Sequence, residues 1–107
     1  LGWDGMQKLL PVLKAIADNH SVTIANVATQ YILNQKSVGA VMVGTRNSRH
    51  VKSNLQTLEF DLTDEEMKMI RDFVDQYPTP KGECYELERT SPRYKGIILT
   101  DRNNVEN

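Results

Sequence analysis

Val41-Met42-Val43-Gly44-Thr45-Arg46-Asn47-Ser48-Arg49-His50 is an apolar run that ends in a Gly-Thr turn and passes into a polar, basic stretch. Val51-Lys52-Ser53-Asn54 follows at helical spacing. A buried strand, a tight turn and a helix start, in that order, make an anion site. The first N–H groups of the helix lack intrahelical partners and carry about half a positive charge, so they attract phosphate. The apolar run reaches back to Val38, broken only by Gly39 and Ala40, and it does not alternate polar with apolar. A strand that is apolar on both faces belongs inside a parallel sheet wrapped by helices.

The flanking sequence reads as helix. Leu9, Leu10, Leu13, Ile16 and Ala17 recur at helical spacing up to about Asn19, with Asp4 as a candidate cap. Pro11 interrupts this pattern, and a regular helix starting close to it avoids the lost hydrogen bond. Thr23 is placed to cap a second helix with the stripe Ile24, Val27, Ala28, Tyr31 and Ile32, closed by Gln35-Lys36-Ser37. A third starts near Ser48, with Val51, Leu55 and Leu58 on one face. Thr63-Asp64-Glu65-Glu66 is a capping box for a fourth, whose buried face is Met67, Ile70, Phe73 and Val74. After Tyr77 the pattern dissolves into a tail punctuated by Pro78, Pro80, Gly82 and Pro92.

One strand among several helices leaves two edges of unpaired backbone groups. The neighbours it needs are expected upstream, so the chain reads as the last portion of a larger helix-wrapped sheet or barrel. That it opens on Leu1 rather than Met fits a piece cut from something longer.

Composition narrows the function classes. Thirteen Lys and Arg against fourteen Asp and Glu give a formal net charge of -1. A general nucleic-acid binder carries a basic excess, so nucleic acid is not an expected partner. Any cation for an anionic ligand must come from a local cluster, and Arg46, Arg49 and His50 form one. No apolar run is long enough to span a membrane. The single Cys84 cannot form an internal disulfide, which fits a reducing, cytoplasmic setting. It has no His or Cys neighbour at metal-ligand spacing, so no metal site is expected. It reads as a buried small side chain.

Several stretches, taken in order, resemble the aldo-keto reductase family. They are Leu10-Pro11-Val12-Leu13-Lys14-Ala15-Ile16-Ala17, Val22-Thr23-Ile24-Ala25-Asn26-Val27-Ala28, Val41-Met42-Val43-Gly44-Thr45-Arg46-Asn47, Asn54-Leu55 and Leu62-Thr63-Asp64-Glu65-Glu66. The resemblance runs from about Gly2 to Phe73, and Gly82 to Arg89 resembles a tail of some bacterial-type members. It implies the α/β class: the C-terminal part of a (β/α)8 TIM-type barrel, last strand plus flanking helices, mostly helical as an isolated piece. Residues 1–77 would belong to the barrel and 78–107 to a C-terminal loop or tail. Val38–Val43 would be the eighth strand, Ser48–Leu58 its following helix and Thr63–Val74 an extra helix. Barrels of this kind hold phosphate near the loops after the last two strands.

The resemblance further implies an NAD(P)H-dependent reductase of small carbonyl compounds. NADP(H) is the expected cofactor, with NAD(H) open. Carried over by position, Gly44 and Thr45 line the turn that grips the adenosine phosphate. Arg46 and Asn47 meet phosphate or ribose, His50 stands nearby, and Asn54 reaches the adenine. Arg offers a planar fork for phosphate oxygens. Many members place Lys at Gly44, Arg at His50 and Glu at Ser53, so the preference for NADPH rests on Arg46 here. The family's catalytic Tyr, Lys, Asp and His lie on earlier strands. Tyr31, Tyr77, Tyr85 and Tyr94 do not match, so the segment alone is expected to be inactive.

The rival reading is a free-standing, non-catalytic helical interaction module derived from the same family. It requires Val38–Val43 to be rebuilt as helix or covered by a partner. His20 reads as a favourable cation at a helix C-terminus, the stretch from Arg89 to Tyr94 as a solvated strap or, by the resemblance, a border of the substrate pocket, and Asp101 to Asn107 as a frayed end. Oligomeric state is not legible.

Overall fold

The computed structural model describes residues 1–78 and 81–92. They form α1 (Gly2–His20), α2 (Ile24–Leu33), α3 (Ser48–Leu55), a 3₁₀ turn (Gln56–Glu59), α4 (Asp64–Val74) and α5 (Cys84–Thr90). No β-strand occurs among the described residues.

α1 does not start near Pro11. It begins at Gly2 and carries the proline inside. An interior proline deletes one helical hydrogen bond and crowds the carbonyl four residues back. Here the ring is exposed, while Gly5 and Leu9, both upstream, are buried. A Cβ on Gly5 would lie 2.8 Å from Cε1 of Tyr77, so only glycine lets that ring lie against the helix. Tyr77 in turn stacks on Phe73 with ring centroids 5.5 Å apart. The turns before Pro11 are therefore held from outside, by a contact with the end of α4. Asp4 is no cap; it lies in the first turn, where its charge still complements the helix N-terminus. α1 ends at Ser21 in the left-handed conformation (φ 55°), its N–H donating to the Ala17 and Asp18 carbonyls.

Thr23 caps α2 as the sequence predicts. Its hydroxyl accepts the Asn26 N–H and the Asn26 side chain accepts the Thr23 N–H. The buried face differs from the expected stripe. Asn26, Val27 and Gln30 are buried, Ile24 and Tyr31 half-buried, and Ala28 and Ile32 exposed. Polar side chains occupy the interior because partners meet them. Gln30 Nε2 donates to Asp61 Oδ1 at 3.0 Å and to Asn34 Oδ1 at 3.3 Å. The Gln30 amide, then that of Asn34, hold the Asp61 carboxyl below its ordinary value.

The core is Leu9, Leu13, Ile16 and Ala17 of α1, Val27 of α2, and Leu62 and Ile70 at α4. Phe60, Met67, Phe73 and Val74 pack at its margin. α1 packs on both α2 and α4, and α2 packs on the 3₁₀ turn that follows α3. α3 has no buried residue. Val51, Leu55 and Leu58, expected on one covered face, are 48%, 56% and 72% exposed.

The Thr63–Glu66 capping box forms as predicted. Glu66 has a second task. Nε2 of His20 lies 2.9 Å and 3.0 Å from its two carboxylate oxygens, and the imidazole leans on Phe60 at 5.1 Å between centroids. His20 is thus a tie between α1 and α4, beyond its place at a helix end. Burial alone raises the Glu66 carboxyl. The His20 hydrogen bond, the Thr63 N–H, the His20 charge and the Thr63 hydroxyl together outweigh it and bring the group below 4.5. A carboxyl depressed in the fold stabilises the protein above its unfolded value and loses that contribution as pH falls through the native one. Urea unfolding followed from neutral pH down through and below 4.5 should show stability declining, and Glu66→Gln should flatten that limb. An equally steep limb in the variant contradicts the tie.

α5 is a helix in the stretch where the sequence pattern dissolves; Glu83 caps it by accepting the Glu86 N–H. Cys84, expected to be buried, is exposed, because this short helix buries no residue. Tyr94, the end of the Arg89–Tyr94 stretch and Asp101–Asn107 lie outside the described residues.

Candidate functional site

The segment from Val38 to Thr45 leaves α2 through a turn closed by the Val38 N–H on the Gln35 carbonyl. It is neither helix nor paired strand. The predicted eighth strand is absent for a simple reason: a strand is defined by a hydrogen-bonded neighbour, and the described residues supply none. Its side chains still follow a period of two. Val41, Val43 and Thr45 all line one groove, while Met42 between them is 100% exposed.

That groove has a volume of about 320 Å³. Thr29 and Leu33 of α2 form one wall, Val51, Asn54 and Leu55 of α3 another, and Thr57 and Leu58 close the end. Its surface is mainly apolar. The polar groups nearest the turn are Thr45 and Asn54, and they meet: Asn54 Nδ2 donates to Thr45 Oγ1 at 3.4 Å. This contact joins the turn to the last turn of α3 across nine residues of chain.

The other predicted residues sit around the mouth. Gly44, Arg46, Asn47 and His50 are exposed. Asn47 is the N-cap of α3, its Oδ1 accepting the Arg49 N–H at 3.1 Å and the His50 N–H at 3.4 Å. Its side chain therefore neutralises two of the donors that a bare helix start would offer an anion. Gly44 needs no special backbone conformation, and a Cβ there meets nothing within 4 Å. None of Arg46, Arg49 and His50 shares an ion pair with a carboxylate among the described residues. The sequence explains why: from Lys36 to Leu58 there is no Asp or Glu at all.

The residue missed by sequence reading is Asn26. Its amide reaches the Ser53 carbonyl at 2.7 Å and Thr57 Oγ1 at 2.9 Å, linking α2 to the helix that carries Asn54. The spacing Thr-x-x-Asn was the available signal, read only as part of an ordered resemblance. Among the described residues there is no group of three or more His, Cys, Asp or Glu suited to a metal, and no helix long and apolar enough to cross a membrane.

Comparison with known proteins gives a consistent result. The sequence pattern of the aldo/keto reductase family matches residues 2–75. The chain is 42% identical over 60 residues to dihydrodiol dehydrogenase 3 of Bos taurus and, over the same length, to aldo-keto reductase family 1 member C2 of Homo sapiens. Each alignment covers 56% of this chain. It is 33% identical over 69 residues, 64% of the chain, to aryl-alcohol dehydrogenase GME11368 of Pestalotiopsis microspora. In all three cases the matched part is 18% of the relative's length. No solved structure matches the chain.

Proposed function

The chain belongs to the aldo/keto reductase family, and we propose that it supplies the adenosine-phosphate side of the cofactor site of an NAD(P)H-dependent carbonyl reductase. The observation that carries the reading is the turn itself. Two arginines without carboxylate partners, Arg46 and Arg49, with His50 beside them, stand at a turn whose Thr45 hydroxyl is already joined to the Asn54 amide. This donor set suits a phosphorylated nucleoside: Arg46 for phosphate, Thr45 for phosphate or ribose, Asn54 for an adenine edge. Asn47 serves chiefly by capping and orienting α3, and Gly44 leaves the approach open. Arg49 stands roughly 100° around the helix from His50, so at most one of the two faces the ligand.

The remainder of the site belongs to other parts of such an enzyme. Bound nicotinamide supplies the hydride; this segment's own residues hold the far end of the dinucleotide and carry no proton to or from the carbonyl. Two observations support a place within a larger barrel. Val41, Val43 and Thr45 are backed by helices on one side only, and Met42 on the other side is bare. Trp3 on α1 is 76% exposed. On this reading Val38–Val43 becomes the eighth strand when its neighbours are present, residues 1–77 are barrel and 78–107 a tail. A free-standing module that had rebuilt this run as helix is disfavoured, since the run is not helical.

The test is calorimetric titration of the intact protein carrying this segment with adenosine 2′,5′-bisphosphate, which retains adenine and both phosphates and lacks nicotinamide. Saturable one-to-one binding that weakens with salt supports the reading, and absence of binding refutes it. Gly44→Lys adds a cation at an uncrowded position. An exposed ion pair is worth about 0.2–1 kcal/mol, so affinity should rise about 1.5- to 5-fold at low salt, with the gain fading as salt is added.

A further inference from the structure

We infer that Asn26, outside the turn, is a positioning residue for this site: it fixes the end of α3 and thereby the place of Asn54. The inference rests on the cofactor-site reading above. Asn26 is 2% exposed, and both ends of its amide are used. Oδ1 accepts from the Thr23 N–H at 3.1 Å and from the Thr23 hydroxyl at 2.5 Å, within α2's own cap. Nδ2 donates outward, to the Ser53 carbonyl and to Thr57 Oγ1. Thr57 is itself 3% exposed.

The outward half lands at a weak point of the fold. The last four carbonyls of an α-helix have no intrahelical donor, and Ser53 is one of them in α3. The chain there tightens from α-helix into the 3₁₀ turn. α3 buries no side chain of its own, so hydrophobic packing does little to fix its placement. Its groove-facing residues, Val51 and Leu55, border open space. A buried amide donating two hydrogen bonds to this junction links α3 to the interior. The residue after Ser53 is Asn54, whose own amide meets Thr45. Loss of the link lets the α3 end drift, and Asn54 and the Thr45 contact drift with it.

Asn26→Asp separates the two halves. The carboxylate keeps the shape and continues to accept from Thr23, but it cannot donate to Ser53. Thr57→Val removes one acceptor without adding charge and guards against a folding failure of the first variant. Two measurements are made on the intact protein. In hydrogen exchange, the amides of residues 53–57 should exchange faster in both variants, while α1 and α4 keep their protection. In titration with adenosine 2′,5′-bisphosphate, affinity should fall about 2- to 10-fold for Asn26→Asp, which loses both donated bonds, and by less for Thr57→Val, which loses one. The same substitutions made on top of Asn54→Ala should cost nothing further, because the effect passes through Asn54.

Faster exchange spread evenly over α1 and α4, or unchanged exchange at 53–57, overturns the inference whatever the titration gives. Losses that add to Asn54→Ala also overturn it. If the unmodified protein binds the bisphosphate and Asn26→Asp binds it equally well, this inference alone falls. If the unmodified protein does not bind, the cofactor-site reading falls and takes this inference with it.

Discussion

Ile16→Ala should lower the unfolding free energy by about 2–5 kcal/mol, measured as a shift in the urea midpoint at unchanged slope. Ile16 is 2% exposed at the centre of the cluster, with Ala17 and Val27 beside it and Leu13 one turn earlier. Truncation removes three carbons from water-free contact and leaves a cavity that rigid neighbours fill only in part. The core is small, seven buried apolar residues among those described, so few neighbours are available to relax into the space. The upper half of the range is therefore expected. A matched change at Leu58, 72% exposed, should cost less than about 0.5 kcal/mol. Equal losses at the two positions would mean that the α1–α2–α4 cluster is not the core of the fold.

The second large effect concerns ligand affinity. Arg46→Ala should weaken NADPH binding by about 1.5–3 kcal/mol, roughly 10- to 150-fold, the value of a hydrogen bond to a charged group. The lower part of the range is expected, because Arg46 is exposed and the phosphate it releases remains solvated. NADH lacks the 2′-phosphate and should lose much less, so the substitution narrows the preference between the two. Arg46→Lys should restore charge without the planar fork and recover only part of the affinity. An Arg46→Ala protein with undiminished NADPH affinity would move the phosphate away from this turn. His50, exposed at the mouth, should contribute less than Arg46, and Arg49 should matter through salt dependence more than through selectivity.

The helices were legible where local chemistry decides them. Thr23 and Thr63 announce their caps, and Ile70 and Phe73 follow the helical period on the inner face of α4. What escaped was set by distant contacts. Helix α1 continues through Pro11 because Tyr77, more than sixty residues on, lies on Gly5. The Asn26 and Gln30 side-chain amide nitrogens find their acceptors in Ser53, Thr57 and Asp61, while Gln30 Oε1 is buried without a partner; a hydrophobic stripe has no way of showing that. His20 found Glu66 for the same reason. The strand at Val38–Val43 is a different case. Its alternation survives in the way Val41, Val43 and Thr45 face the groove, but pairing needs partners that the described residues lack.

The predicted site residues fared unevenly in geometry. Thr45 and Asn54 come together, Arg46 and His50 stand exposed at the mouth, and Asn47 turns its oxygen inward to cap α3. Sequence reading counted the turn's donors without subtracting those that Asn47 consumes. It also passed over the acid-free run from Lys36 to Leu58, in which Arg46 and Arg49 sit.

The most direct test of the central claim is a crystal structure of the intact protein soaked with adenosine 2′,5′-bisphosphate. The account predicts the 2′-phosphate within hydrogen-bond reach of Arg46 and Thr45 and the base beside Asn54. A nucleotide bound elsewhere, with Arg46 and Asn54 facing solvent, would contradict it.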